Sequence, residues 1–121
     1  MSWFEAYRQF RGGFREAIDE RFYSIEWLDE QVALSRAFFW HTENAAIVAE
    51  IKTYPTGTKA IHGLCATGDI KDITDKLIPA AEAWGRENGC TFALIESRSG
   101  WGRALKPNGY AVHQTAVGKE I

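Results

Sequence analysis

Cysteine, proline and methionine are scarce in this chain of 121 residues: two, three and one. Cys65 and Cys90 form no CxxC pair, so a zinc knuckle has no ligand set. In the strand order derived below they fall at opposite ends of neighbouring strands, so no disulfide is expected. Free thiols fit a reducing cytoplasm. Net charge is only -2, which gives no electrostatic reason to expect nucleic acid or an anionic membrane as partner. No apolar run approaches the ~18 residues of a membrane span. The start, Met-Ser-Trp-Phe-Glu, lacks the basic stretch of a secretion signal. There is no HExxH, no GxxxxGK[ST] and no serine nucleophile elbow. His41, His62 and His113 lack ligand spacing, so no metal site is expected.

Aromatic residues are what the chain has in plenty: five Trp, seven Phe and four Tyr, enough bulk for the core of a single domain over 1–121. Trp3, Tyr7, Phe10, Phe14, Ile18 and Phe22 recur at a spacing of three or four and predict one helix face over 3–22. Gly12-Gly13 predicts a kink or break in it. Ser24 is a candidate N-cap for a second helix over 25–35 that presents Ile25, Leu28, Val32 and Ala33. Strands are expected at 37–41 and 45–53, joined by the turn Thr42-Glu43-Asn44. After the turn at Pro55, a third strand runs from Thr58 to Ala66.

Thr67-Gly68-Asp69 is expected as a loop, with Asp69 or Asp72 capping the next helix. That helix carries Ile73, Leu77, Ala80, Ala81 and Trp84 on one side, and Pro79 should kink or restart it. Asn88-Gly89 ends it. Thr91–Glu96 reads as a strand buried on both faces, Gly100–Leu105 as a short helix stopped by Pro107, and Tyr110–Gly118 as a closing strand. Strand–helix–strand over 58–96 demands a parallel pair with a right-handed crossover.

This order, ααβββαβαβ, resembles the acetyltransferase-like GNAT fold, an α/β (α+β) architecture with a mixed central sheet flanked by helices. The run Ala83-Trp84, Gly89-Cys90, Arg98-Ser99-Gly100-Trp101, then Leu105 through Gly109-Tyr110, is similar to that of small GNAT-like proteins of bacteriophages and prophages. In that family a Gln/Arg-x-x-Gly-x-Gly/Ala turn aims backbone N–H groups at the pyrophosphate of acetyl-CoA. The equivalent stretch here, Ala66–Thr74, keeps only Gly68 of that pattern. The resemblance makes Thr67, Gly68, Lys71 and Arg98 the candidate cofactor-binding residues. Asp69 and Asp72 place carboxylates where phosphates would lie, so acetyl-CoA is not expected to bind.

The catalytic candidates are His62, the one group of its strand that titrates near neutrality, Glu50 on the preceding strand, and Tyr110 after the glycine turn. Trp3, Tyr7, Phe10 and Phe14 are candidate interaction residues, because a hinge at the glycine pair would expose them. Trp101 and Arg103 are added as an indole beside a guanidinium. The expected role is a phage-derived structural or protein-interaction module, without acetyl transfer and without cofactor. It would be cytoplasmic or virion-associated, with a protein, a virion protein or a second copy as partner. The alternative is an active acetyl-CoA-dependent N-acetyltransferase with an atypical pyrophosphate turn.

Overall fold

Phe38, Phe39 and Trp40, and the apolar run that follows the next turn, favour extended backbone and found the sheet. The computed structural model describes residues 3–96 and 100–121. Strands β1 (Phe38–His41), β2 (Ala45–Thr53), β3 (Lys59–Gly68) and β4 (Phe92–Ile95) lie in that order in one sheet. The first three are antiparallel neighbours, and β3 and β4 are parallel, as a helical crossover requires.

Alternation along β2 sorts the core. Ala46 and Val48 face α1 (Trp3–Ala17) and α2 (Ile25–Ala33), where Tyr7, Phe14, Leu28 and Val32 are buried. Ala45 and Ile47 face the other side, against Ile73, Leu77, Ile78 and Ala81. Those four come from a helical run made of α3 (Ile70–Asp72), a π turn (Ile73–Leu77) and α4 (Ile78–Glu87). Trp84 closes the end of this face against the Phe38 and Trp40 rings, 4.4 and 5.4 Å away. Pro79 sits in the first turn of α4, where a missing N–H is tolerated.

Several expectations need correction. α1 is unbroken at Gly12-Gly13 and ends at Ala17 instead of continuing to residue 22. Gly13 is needed for contact, not flexibility: a Cβ there would stand 2.9 Å from Thr67 Cβ on β3. Beyond Ala17 the chain turns at Asp19, whose C=O accepts from Phe22 and Tyr23 N–H. Phe22 is thereby turned into solvent. Ser24 does cap α2, accepting from Trp27 N–H at 3.1 Å, but Ala33 is exposed. β4 is half-buried, because it is an edge strand. Residues 110–118 join no ladder, so the closing strand is absent among the described residues. No described helix is long and apolar enough to cross a membrane.

Both cysteines are free and buried, and burial pushes the Cys65 thiol up to about 12, so it is an inert packing residue. A polar clamp ties α1 to α2: Tyr7 Oη donates to Asp29 at 2.7 Å, and Arg11 donates to both carboxylate oxygens at 2.8–3.1 Å. Burial alone would raise the Asp29 carboxyl, but the Arg11 and Tyr7 hydrogen bonds outweigh it and hold it below its ordinary range. Burial first, then the bond to Asp29, raises the Tyr7 phenol. A depressed carboxyl contributes stability above its unfolded pKa, and that contribution is lost as pH falls through the folded value. The melting temperature should therefore fall as pH drops below about 4. Asp29→Asn should flatten that fall, and an unchanged acid profile would refute the clamp. The raised phenol acts in the opposite sense, losing its contribution above about 10.

Candidate functional site

The parallel pairing of β3 with β4 covers only Ala60–Gly63 against Phe92–Ile95. Beyond it β3 continues on β2 to Gly68, while β4 ends. The register slips at the parting point: Val48 faces Cys65 and Ala49 faces Gly63, which leaves Leu64 unmatched. An extra residue of this kind bends its strand and re-aims the side chains beside it. The split opens between β3 and the end of β4, and its floor is apolar. Gly63, Leu64, Ala66, Ile73, Ile95 and Trp101 line a cavity of about 40 Å³. That is far below the ~300–1,000 Å³ of a small-molecule pocket.

Beside the split lies the one buried polar residue of the described core, His62, with its side chain 5% exposed. Glu50 and His62 are directly opposed in the β2–β3 register. Glu50 Oε2 lies 3.0 Å from His62 Nδ1. The carboxylate accepts only, so His62 Nδ1 donates to it and Nε2 is the ring atom left on the other side. That atom is buried without a hydrogen bond. Glu96 Oε1 stands 3.3 Å away but off the direction that a bond needs. His62 and Glu96 border an open groove with Asp19, Glu20, Arg21 and His113 on its far walls. Arg21 is paired with Asp19 at 2.9 Å, which leaves the groove acidic in balance. Chemically, the pair can accept a hydrogen bond or a proton from a donor in the groove.

The strand-to-helix junction is the second element. β3 runs through Thr67 to Gly68, still paired with Ala46 and Ala45, so the expected loop is strand. Only Asp69 separates it from α3. Asp69 N–H donates to Asn44 C=O, Asp72 N–H to the Asp69 carboxylate and Ile73 N–H to Asp69 C=O, all at 3.0–3.1 Å. Three of the five amides from 69 to 73 are thus engaged within the chain. The Asp72 carboxylate accepts from the Thr42 hydroxyl at 2.7 Å and lies 3.6 Å from Lys76 Nζ.

The other predicted residues are scattered. Thr67 packs under Gly13 of α1, and Lys71 is exposed. Tyr110 donates to Glu82 and lines a different groove from His62, so it does not join the Glu50–His62 pair. Burial, then the bond to Glu82, raises its phenol. Arg98 lies outside the described residues. Trp101 is half-buried against the second core layer, and Arg103 is exposed. Tyr7 and Phe14 are core, Phe10 is half-buried, and only Trp3 of that face stays half in water. Glu96 is the group that the sequence reading missed. It follows Leu94, the residue paired with His62, by two and lies one residue past the end of β4, a spacing that could have pointed to it.

No protein family matches the sequence, and no curated protein matches it at the sequence level. Solved structures do match. A glucosamine-6-phosphate N-acetyltransferase from Arabidopsis thaliana superposes with a TM-score of 0.70 at 11% identity, over 99% of this chain and 94% of that one. An acetyltransferase from Trypanosoma brucei gives 0.60 at 12% identity, over 81% and 78%. A predicted acetyltransferase with acetyl-CoA, from Clostridium acetobutylicum, gives 0.62 at 9%, over 79% and 71%. The chain has the GNAT fold, and likeness at such identities establishes the fold alone.

Proposed function

We propose that this GNAT-fold domain works by binding a protein partner and does not transfer acetyl groups. The carrying observation is the junction at Gly68–Asp69. A phosphate site at a helix start needs free amides and a positive field. Here the amides of 69, 72 and 73 are bonded internally, and two carboxylates stand at the same place. An aspartate cap satisfies the donors that an anion would otherwise use, and it repels the anion. Virion proteins, the partners implied by the resemblance in residues 83–110, are the first to test.

Calorimetry with acetyl-CoA should show no binding, and sub-micromolar affinity would overturn the reading. Asp69→Gly with Asp72→Ala should gain measurable affinity for inorganic pyrophosphate, at a stability cost of roughly 0.5–2 kcal/mol for the lost cap. One observation favours the second reading, acetyl transfer to an amine: the buried His62 side chain, oriented by Glu50 and bordering an acidic groove. On that reading His62 takes the proton of the attacking amine. His62→Gln would then abolish turnover measured as free thiol released, while a binding module releases none in either form.

A further inference from the structure

The helical run on the second face of the sheet skips one of its own carbonyls. In its π turn, Ile78 N–H reaches back five residues to Ile73 C=O. Thr74 C=O is next in line, but the residue five on from it is Pro79, which has no N–H. The Thr74 carbonyl is therefore passed over by its helix and needs a donor from elsewhere. Asn108 supplies it: its Nδ2 donates to Thr74 C=O at 2.8 Å, from 34 positions away in sequence. Asn108 ends a 3-10 turn (Lys106–Asn108) that follows a short helix, α5 (Gly100–Ala104). This segment carries Trp101 and Leu105, which pack with Ile73 and Leu77, and Trp101 walls the cavity at the sheet split. A side-chain amide thus latches the piece that closes the split.

The following residue makes that amide reactive. Asn108 is exposed and precedes Gly109, which has φ +87° and open space where a side chain would stand. We propose that Asn108 is a self-modifying latch, stable while it holds Thr74 and converting to aspartate or isoaspartate once it lets go. The Gly109 nitrogen gives up its proton and bonds to Asn108 Cγ. The Cγ–Nδ2 bond breaks, and ammonia leaves with that proton. Water then opens the cyclic imide at either of its carbonyls. Two hydrogen bonds hold the reacting groups back in the latched state: Nδ2 is on Thr74, and Gly109 N–H donates to Lys106 C=O at 3.1 Å. The product cannot latch again. A carboxylate only accepts, so it would meet the Thr74 carbonyl as acceptor against acceptor. The Asp75 carboxylate, which accepts from the Thr74 hydroxyl at 3.2 Å, adds like charge. Asn88-Gly89 is the same dipeptide in a tighter setting. The Asn88 C=O accepts from Lys59 Nζ at 2.6 Å, and the Cys90 and Thr91 N–H groups that follow are bonded at 2.8 and 3.0 Å. After Gly109 the chain joins no ladder among the described residues. This latch goes beyond the proposed partner binding and is independent of it.

The full chain, aged in mildly alkaline buffer and then digested, should show by mass spectrometry the amide-to-acid mass change at Asn108 well before Asn88. Pro79→Ala is the deciding variant. It returns an N–H to the helix, which can then close on its own carbonyls. Asn108 should lose its hold and convert several-fold faster, while the rate at Asn88 stays the same. Asn108→Asp, the product itself, should raise hydrogen exchange over residues 100–110 and leave β2 and β3 protected. Conversion at Asn88 ahead of Asn108 would overturn the proposal. So would equal rates at Asn108 in Pro79→Ala and the parent chain, or an Asn108→Asp variant that exchanges like the parent.

Discussion

Phe14→Ala should lower the stability of the domain by about 3–5 kcal/mol, the usual range for emptying a buried aromatic site. Phe14 is fully buried between α1 and the sheet. Its ring lies 5.8 Å from that of Tyr7 and 6.2 Å from that of Phe39. The neighbours come from two elements whose backbones are fixed by their own hydrogen bonds, so the cavity cannot collapse cheaply. For a domain of this size the loss corresponds to a fall in melting temperature on the order of 10–25 °C. Trp3→Ala is the matched control. Trp3 is on the same helix but 50% exposed, and the change should stay within about 1 kcal/mol. Paired thermal melts decide whether the aromatic face of α1 is core or interface. If Phe14→Ala melted like the parent protein and only its self-association changed, α1 would be a detachable docking helix and the packing described above would be wrong.

Local physics made much of the fold legible. The spacing of Tyr7, Phe10 and Phe14 marked a helix face, Ser24 marked a cap, and the strand–helix–strand order forced the parallel pair of β3 and β4. Of the two cap candidates, Asp69 and Asp72, Asp69 is the one whose carboxylate accepts from a helix amide, that of Asp72. What stayed hidden depends on contacts distant in sequence. Gly13 looks like a helix breaker until Thr67 is seen beneath it. Thr67 and Gly68 look like loop until Ala45 and Ala46 are seen to pair with them. Residues 110–118 have strand chemistry, but a strand needs a partner, and among the described residues of this chain none pairs with them.

The candidate site divides in the same way. Glu50 and His62 fall opposite one another once the β2–β3 hairpin fixes its register, so their meeting was within reach of the sequence. Whether His62 Nε2 would be satisfied was not, because the answer rests on the angle that Glu96 presents at 3.3 Å. Tyr110 was placed near the chemistry by its position after a glycine turn. Its partner Glu82, on α4, draws it to the far side of β4 instead.

Gly68→Ala should be the most damaging single-methyl change in the chain. Gly68 has φ +100°, where a side chain is strained by roughly 1–3 kcal/mol. A Cβ there would also press on the Asn44 carbonyl and stand 2.6 Å from Ala45 Cα. Both are backbone atoms of the neighbouring strand and cannot rotate aside, so β3 must lift from β2 at its end. A total loss beyond about 3 kcal/mol is expected. Gly57→Ala separates the two contributions. Gly57 has φ +86° but open space around the added methyl, so it should lose only the ~1–2 kcal/mol of the left-handed backbone. Urea titrations of both variants, with unchanged slope, give the difference directly. That difference measures how firmly β3 is closed onto Asn44, and so how firmly the Asp69 N–H is held by the Asn44 carbonyl. Equal losses at the two glycines would mean that the junction is open, and its amides would then be free to take an anion.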